Sequence, residues 1–177
     1  MMGEPQKPFP VKLVVGMISS QETLFAGAKK VMEEKFGPID FESPLLDFNY
    51  TIYYEKEMGA GLKRQFISFK DLIRPETLPA IKLLTNNLEK DFTSEGKRRI
   101  NLDPGYLTLD KFVLATTKNH QHRIYLNDGI YAEATLRYRD GSFHPWECTY
   151  PDYRTEEYIG IFNALRELYH RQIRKGV

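Results

Sequence analysis

The sequence has little cysteine and no long apolar run. Its single cysteine, Cys148, cannot form an internal disulfide, which agrees with a reducing compartment. The longest aliphatic run, residues 13–18, is far too short to span a bilayer, and residues 1–12 lack the apolar core of a signal peptide. These absences predict a cytoplasmic protein with no membrane partner, and Cys148 beside Trp146 and Tyr150 is predicted to be a buried, inert thiol.

Local signatures of the common enzyme classes are also missing. The sequence contains no GxxxxGK[ST], GxGxxG, HExxH, CxxC or GxSxG, which disfavours P-loop nucleotide sites, dinucleotide sites and the familiar hydrolase centres. Its 25 basic and 24 acidic side chains leave a net charge of +1. No overall field therefore draws the chain onto nucleic acid or anionic lipid, and any anion site must be local.

The 177 residues predict one α+β domain, residues 11–177, after a loose tail over residues 1–10. Ser19 and Ser20 are predicted to cap the first helix. Apolar spacing predicts the order strand, helix, strand, strand, helix, strand, over residues 11–19, 21–36, 39–49, 62–73, 75–92 and 98–106. That order favours a ferredoxin-like split βαβ core, an antiparallel sheet with both helices on one face.

The second half of the chain predicts a β-hairpin extension and a C-terminal helix. Asn127-Asp128-Gly129 is a hairpin turn between two alternating segments, and residues 139–142 predict another. Residues 156–174 carry an apolar stripe at helical spacing. Residues 108–117 are predicted to form a short helix, and the strand over residues 98–106 is predicted to enter a turn at residues 101–106, NLDPGY.

Basic residues concentrate in a few stretches of this nearly neutral chain. If the strands near residues 63 and 98 share a sheet, alternate basic side chains point to one face, where guanidinium groups match phosphate or carboxylate geometry. A solvated edge strand that carries Lys and Arg is the alternative. The candidate ligand-binding residues are Lys63, Arg64, Arg98, Arg99, Lys118 and Arg123.

Three further residues are candidates for proton transfer: Asp103, His122 and Glu133, since carboxylates and imidazoles near such cations suit acid–base work. Each has a structural alternative. Asp103 fits a turn, and Glu133 fits a cross-strand pair with Arg123. His120 and His122 lack a third ligand at a fixed spacing, so no metal site is predicted and the cofactor is left open.

The stretches KLVVGMISS, EMGAGLKRQFISF, IKLLTNNLE, KRRINLDPGYLTLDKFVLATTK and HRIYLNDGIYAE span most of the chain. In them the chain resembles a prokaryotic family of uncharacterised proteins, the domain of unknown function DUF4416. Some members carry the label GTP-binding protein. The missing P-loop lysine argues against that label here, and the resemblance implies no catalytic residue.

Three functions stay open at this point. The leading one is binding of a small anionic metabolite or nucleotide, with catalysis undecided. The second is a single-stranded RNA-binding module that stacks bases on an exposed sheet, using aromatic side chains such as Tyr50, Tyr53, Tyr54, Trp146 and Tyr150. The third is a non-catalytic protein-interaction domain, which includes a homo-oligomer.

Overall fold

The computed structural model describes residues 3–51 and 54–175. Within them, nine strands form one antiparallel sheet that four α-helices accompany. The elements are β1 Lys12–Ser19, α1 Glu22–Phe36, β2 Ile39–Glu42, β3 Leu46–Asp47, α2 Glu55–Met58, β4 Lys63–Phe69, α3 Leu78–Asp91, β5 Asn101–Leu107, β6 Lys111–Thr116, β7 Ile124–Asn127, β8 Ile130–Arg139, β9 Ser142–Pro145 and α4 Glu156–Lys175. Residues 3–10 are exposed and carry no helix or strand, and 3₁₀ turns occupy Pro75–Thr77 and Pro151–Arg154.

The strand order confirms the ferredoxin-like core. The sheet runs β2-β4-β1-β5-β6-β8-β7, with β3 beside β4 and β9 beside β8. The first four strands in this spatial order, β2, β4, β1 and β5, are arranged as two interleaved βαβ halves. Each neighbouring pair among them is antiparallel. Strands β6 to β9 extend this core on the side of β5.

Both faces of the core sheet are covered, because side chains alternate along each strand. All eight residues of β1 are buried. Leu13, Val15 and Met17 pack with α1 and α3 on one face, whereas Val14 packs with Phe66 and α4 on the other. The sheet is therefore the middle layer of three.

A buried lysine helps to hold α4 on its face. Lys12 Nζ donates hydrogen bonds to Phe69 O at 2.8 Å and to Gln172 Oε1 at 2.9 Å, and it pairs with Asp40. These contacts join the first strand, the sheet edge and the last helix.

Both predicted hairpin turns are confirmed. Asp128 and Gly129 have φ of 49° and 76°, and Asp140 and Gly141 have φ of 51° and 84°. Two successive residues with positive φ match the right-handed twist of the flanking strands, as in type I′ turns.

Four local predictions are wrong. Residues 111–116 form β6 rather than a helix, because they pair with both β5 and β8. The predicted turn 101–106 lies in β5. Gln21, not a serine, is the N-cap residue of α1, although Ser19 Oγ accepts a hydrogen bond from Gln21 N. Cys148 is exposed rather than buried.

A split in the sheet shapes the site. β5 pairs with β1 from Asn101 to Leu107, but with β6 only from Gly105 to Leu107. Pro104 has no amide proton, so it cannot donate to β6 and the pairing ends there. Side chains of α3 replace the missing partner: Lys82 Nζ donates to Leu102 O at 3.0 Å, and Leu102 N donates to Glu89 Oε1 at 2.7 Å.

Candidate functional site

A cavity of about 440 Å³ opens where β5 and β6 separate. Its walls come from β4, α3, β5, β6, β8, the loop before α2 and the 3₁₀ turn after β9. Among the described residues, five cationic side chains of the lining outnumber three acidic ones, which leaves an excess of two positive charges. The charged side chains that line it are Arg64, Lys82, Arg98, Lys118, Arg123, Asp103, Glu133 and Asp152.

Arg64 of β4 is a deeply buried cation of the cavity. Its side chain is 4% exposed, Nη2 donates to Asp152 Oδ2 at 3.1 Å, and Nη1 lies 4.0 Å from Asp103 Oδ2. Gly16 makes room for it, since a Cβ there would lie 2.6 Å from Nη1. The guanidinium also lies over the rings of Phe48, Phe66 and Tyr153, at 5.0, 5.4 and 5.8 Å.

Asp103 of β5 lies between two cations. Its Oδ1 accepts a hydrogen bond from Lys82 Nζ at 3.3 Å, and its Oδ2 accepts one from Asn101 Nδ2 at 2.6 Å. Burial opposes its ionisation, but the charges of Lys82 and Arg64 and these hydrogen bonds outweigh burial and lower the pKa of Asp103 below its usual value. Asp103 is therefore an ionised hydrogen-bond acceptor at neutral pH.

This lowered pKa predicts how acid affects folding. A carboxylate whose folded-state pKa is depressed stabilises the fold above its unfolded pKa, about 3.9, and that contribution is lost as pH falls through the folded value. We expect Asp103→Asn to reduce the unfolding free energy by about 1–3 kcal/mol at pH 7 and by much less near pH 3. Urea unfolding of both proteins across pH 3–7 measures the difference. A difference that does not change with pH would contradict the role of this charge.

Arg123 and Glu133 form the other end of the cavity. Glu133 of β8 is buried; its Oε2 accepts from Arg123 Nε at 2.8 Å and lies 3.2 Å from His122 Nε2. Arg123 also donates to Lys118 O at 2.9 Å and to Tyr150 OH at 3.0 Å. One guanidinium thus joins β8, the loop after β6 and the segment after β9.

Arg98 closes the side next to α3. Its Nη1 donates to Glu89 Oε2 at 3.0 Å and Asn101 Oδ1 at 2.9 Å, and its Nη2 donates to Glu57 Oε2 at 2.9 Å. The guanidinium lies 5.6 Å from the centre of the Tyr54 ring. Burial raises the pKa of both Tyr54 and Tyr153 well above the usual value, so both hydroxyls keep their protons at neutral pH.

The structure brings six of the nine predicted site residues to this cavity: Arg64, Arg98, Asp103, Lys118, Arg123 and Glu133. The other three lie outside its lining. Lys63 is next to Arg64 on β4, and neighbours on a strand point to opposite faces. Lys63 therefore lies outside the cavity, where it pairs with Asp47 at 2.7 Å. Arg99 contacts Gln21, and His122 contacts Glu133 from outside the cavity.

Sequence analysis missed Lys82 and Asp152, which pair with Asp103 and Arg64. A signal for Lys82 was present. Leu78, Lys82, Thr85 and Glu89 recur at helical spacing on one side of α3, and all four are buried. Two opposite charges on such a buried stripe indicate a polar cluster beneath the helix. For Asp152, in a single 3₁₀ turn, no such pattern exists.

The His120-x-His122 pair lies in the loop between β6 and β7. Residues 3–51 and 54–175 contain no group of three or more His, Cys, Asp or Glu side chains that could hold a metal ion. The rings of His120 and His122 are stacked with centroids 6.0 Å apart. Over the same described ranges, no helix is long and apolar enough to cross a membrane.

Comparison with known protein families gives a match over most of the chain. The family model described as Domain of unknown function (DUF4416) matches residues 9–169. No curated protein and no solved structure matches the chain. The family match covers every residue that lines the cavity.

Proposed function

The chain belongs to the DUF4416 family, and we propose that it binds a small anionic metabolite or nucleotide in the cavity between β5 and β6. The ligand carries a phosphate or carboxylate group. A volume of about 440 Å³ lies in the range of cavities that hold small molecules, about 300–1,000 Å³. Whether a reaction follows binding is left open, and no catalytic step is assigned.

The local concentration of positive charge carries this proposal. Five cationic side chains line one cavity of a protein whose net charge is only +1. They reach it from β4, α3, the segment before β5 and the loop between β6 and β7, so the fold gathers cations that are far apart in the sequence. Guanidinium and ammonium groups in a concave site bind anions more strongly than the same groups in open solvent, because the surrounding dielectric is lower.

The RNA-binding alternative receives less support. It requires a sheet face on which bases can stack, whereas α4 packs on the face opposite α1 and α3. Of the aromatic group proposed for stacking, Tyr53 lies outside the described residues, and Tyr54 and Tyr150 line the cavity. Nucleic acid is therefore not favoured as the partner.

One observation favours the protein-interaction alternative. β7 is at the end of the sheet order, and Ile124 and Tyr125 are 72% and 57% exposed. Apolar edge strands are surfaces on which other chains can pair. A dimer detected by sedimentation and lost in Ile124→Lys would support a homo-oligomer through this edge, which is compatible with anion binding in the cavity.

We place this function in the cytoplasm. The support is the single cysteine, which is exposed and unpaired and would face oxidation in a compartment that forms disulfides.

A matched pair of lysine variants tests the proposal. Lys118 lines the cavity, whereas Lys63 lies outside it on a surface ion pair. We expect Lys118→Gln to weaken binding of an anionic metabolite about tenfold or more, since a lost charge-assisted hydrogen bond costs about 1.5–3 kcal/mol. Lys63→Gln, with the same charge change, should leave binding unchanged.

The measurement is a thermal-shift screen with AMP, ribose 5-phosphate and citrate, followed by calorimetric titration of each probe that raises the melting temperature. A ligand at a hundred times its dissociation constant adds about 2.7 kcal/mol of stability. Equal loss in both variants would indicate nonspecific charge attraction. The absence of any shift in the wild type would overturn the proposal.

A further inference from the structure

The cavity is not a purely cationic pocket. In the cluster at its β5 side, the side chains of Arg64 and Lys82 are 4% and 7% exposed, but that of Asp103 is 25% exposed. Since Asp103 lines the cavity, this exposed part faces the space that a ligand would fill. A bound molecule therefore meets a carboxylate as well as cations.

Asp103 retains capacity to accept hydrogen bonds. Among the described residues, Lys82 donates to its Oδ1 and Asn101 donates to its Oδ2, while Arg64 is too distant for a hydrogen bond. An ionised carboxylate accepts about four hydrogen bonds and donates none. A ligand that covered Asp103 with an apolar or anionic group would leave a desolvated charge unsatisfied, which is unfavourable.

The net charge of the cavity lining suggests which group of the ligand lies near Asp103. The described lining has two more cationic than acidic side chains, and a phosphate monoester carries a charge of about −1.5 to −2 at pH 7. Among the side chains that line the cavity, a phosphate monoester neutralises this excess in one group, whereas a single carboxylate leaves part of it; Glu57 and Glu89, which pair with Arg98, lie outside the lining.

Resting on the proposed function, we infer that the ligand is a hydroxylated phosphate ester, with its phosphate held by the cavity cations and a hydroxyl group donating to Asp103. Sugar phosphates and the ribose phosphate part of a nucleotide have this chemistry. Simple alkyl phosphates lack the hydroxyl donor, and polycarboxylates would place like charge against Asp103.

Two probes of equal carbon number separate the hydroxyl contribution from the phosphate contribution. We would titrate the wild type with ribose 5-phosphate and with n-pentyl phosphate by calorimetry. Ribose 5-phosphate should bind about tenfold or more tightly than n-pentyl phosphate. Each probe carries one phosphate group, so the ratio of the two dissociation constants reports how much the hydroxyl groups contribute to the affinity.

Asp103→Asn should change the two affinities in opposite directions. It weakens binding of ribose 5-phosphate, because loss of the charged acceptor for the hydroxyl outweighs the relief of repulsion at the phosphate. It strengthens binding of n-pentyl phosphate, because a negative charge beside the phosphate is removed. General damage to the cavity would instead weaken both. Asp47→Asn, an exposed carboxylate outside the cavity, is the control that should change neither.

The outcomes distinguish this inference from the proposed function. If n-pentyl phosphate binds the wild type as tightly as ribose 5-phosphate, or Asp103→Asn shifts both affinities equally, the hydroxyl contact is wrong while phosphate binding stands. If neither probe binds and citrate does, the phosphate assignment is overturned. If no anion binds, the proposed function fails and the inference fails with it.

Discussion

Arg64→Met is expected to lower the unfolding free energy by about 3–5 kcal/mol at pH 7, the usual cost of removing one member of a buried ion pair. Arg64 is almost fully buried, and Asp152, its partner at 3.1 Å, is buried as well. Methionine fills much of the same space without charge, so the loss reflects the carboxylates left unpaired. Urea unfolding measures the effect.

The double variant Arg64→Met/Asp152→Asn is the control for this interpretation. Burial raises the pKa of Asp152 while the charge of Arg64 lowers it, and burial has the larger effect. Once Arg64 is gone, replacing the acid removes the unpaired charge, and we expect more than half of the lost stability to return. A double variant no more stable than Arg64→Met would mean that Arg64 acts through packing on Phe48 and Phe66 rather than through charge.

Gly105→Ala is expected to destabilise the fold by about 1–3 kcal/mol or more, as overpacking of a core does. A Cβ at Gly105 would lie 2.5 Å from Val113 O and 2.7 Å from the ring of Phe112, both in β6. Val113 O is a backbone atom, so it cannot move aside without shifting β6. Since Gly105 begins the β5–β6 pairing, this shift would also deform the cavity.

Gly160→Ala is the matched control, and its effect should have the opposite sign. Gly160 lies in α4, and a Cβ there would meet no described atom within 4 Å beyond the backbone of its own helix and its chain neighbours. Alanine at this position should stabilise the protein by about 0.5–1 kcal/mol, because glycine is the poorer helix former. Thermal unfolding of both variants gives the comparison, and destabilisation by Gly160→Ala or a neutral Gly105→Ala would contradict these contacts.

The core of the fold could be predicted from the sequence because its signals are local. The buried strand β1, the amphipathic helices α1 and α3 and the turn at Asp128-Gly129 each follow from spacing or turn chemistry within a few residues. Their order then restricts the topology to very few arrangements.

β6 could not be predicted because its pattern is ambiguous. Residues 111–116, KFVLAT, form a short apolar run, and such a run fits a buried strand or a helix segment equally well. Pairing with β5 and β8 decides for the strand. The sequence also could not show that Pro104 ends the β5–β6 pairing rather than forming a turn, because this depends on which strands lie on either side of β5 in the folded sheet.

For the site, the sequence predicts which side chains are charged but not which way each side chain points. Lys63 and Arg64 are neighbours with the same charge, yet only Arg64 reaches the cavity. Side-chain direction alternates along a strand, so a shift of one residue in register would reverse their roles. Lys82 reaches Asp103 only because the sheet is split beside α3.

The most direct test of the anion site is a chemical-shift titration of ¹⁵N-labelled protein with ribose 5-phosphate. We predict saturable shifts concentrated in the amides of Arg98, Asn101 and Asp103, of residues 114–118, and of Tyr150, Asp152 and Tyr153, which line the cavity. The amides of Lys63 and of the surface far from β5 should not shift. Saturable shifts confined to another surface, or no shifts at millimolar probe with AMP and citrate equally silent, would contradict the assignment of the cavity as an anion site.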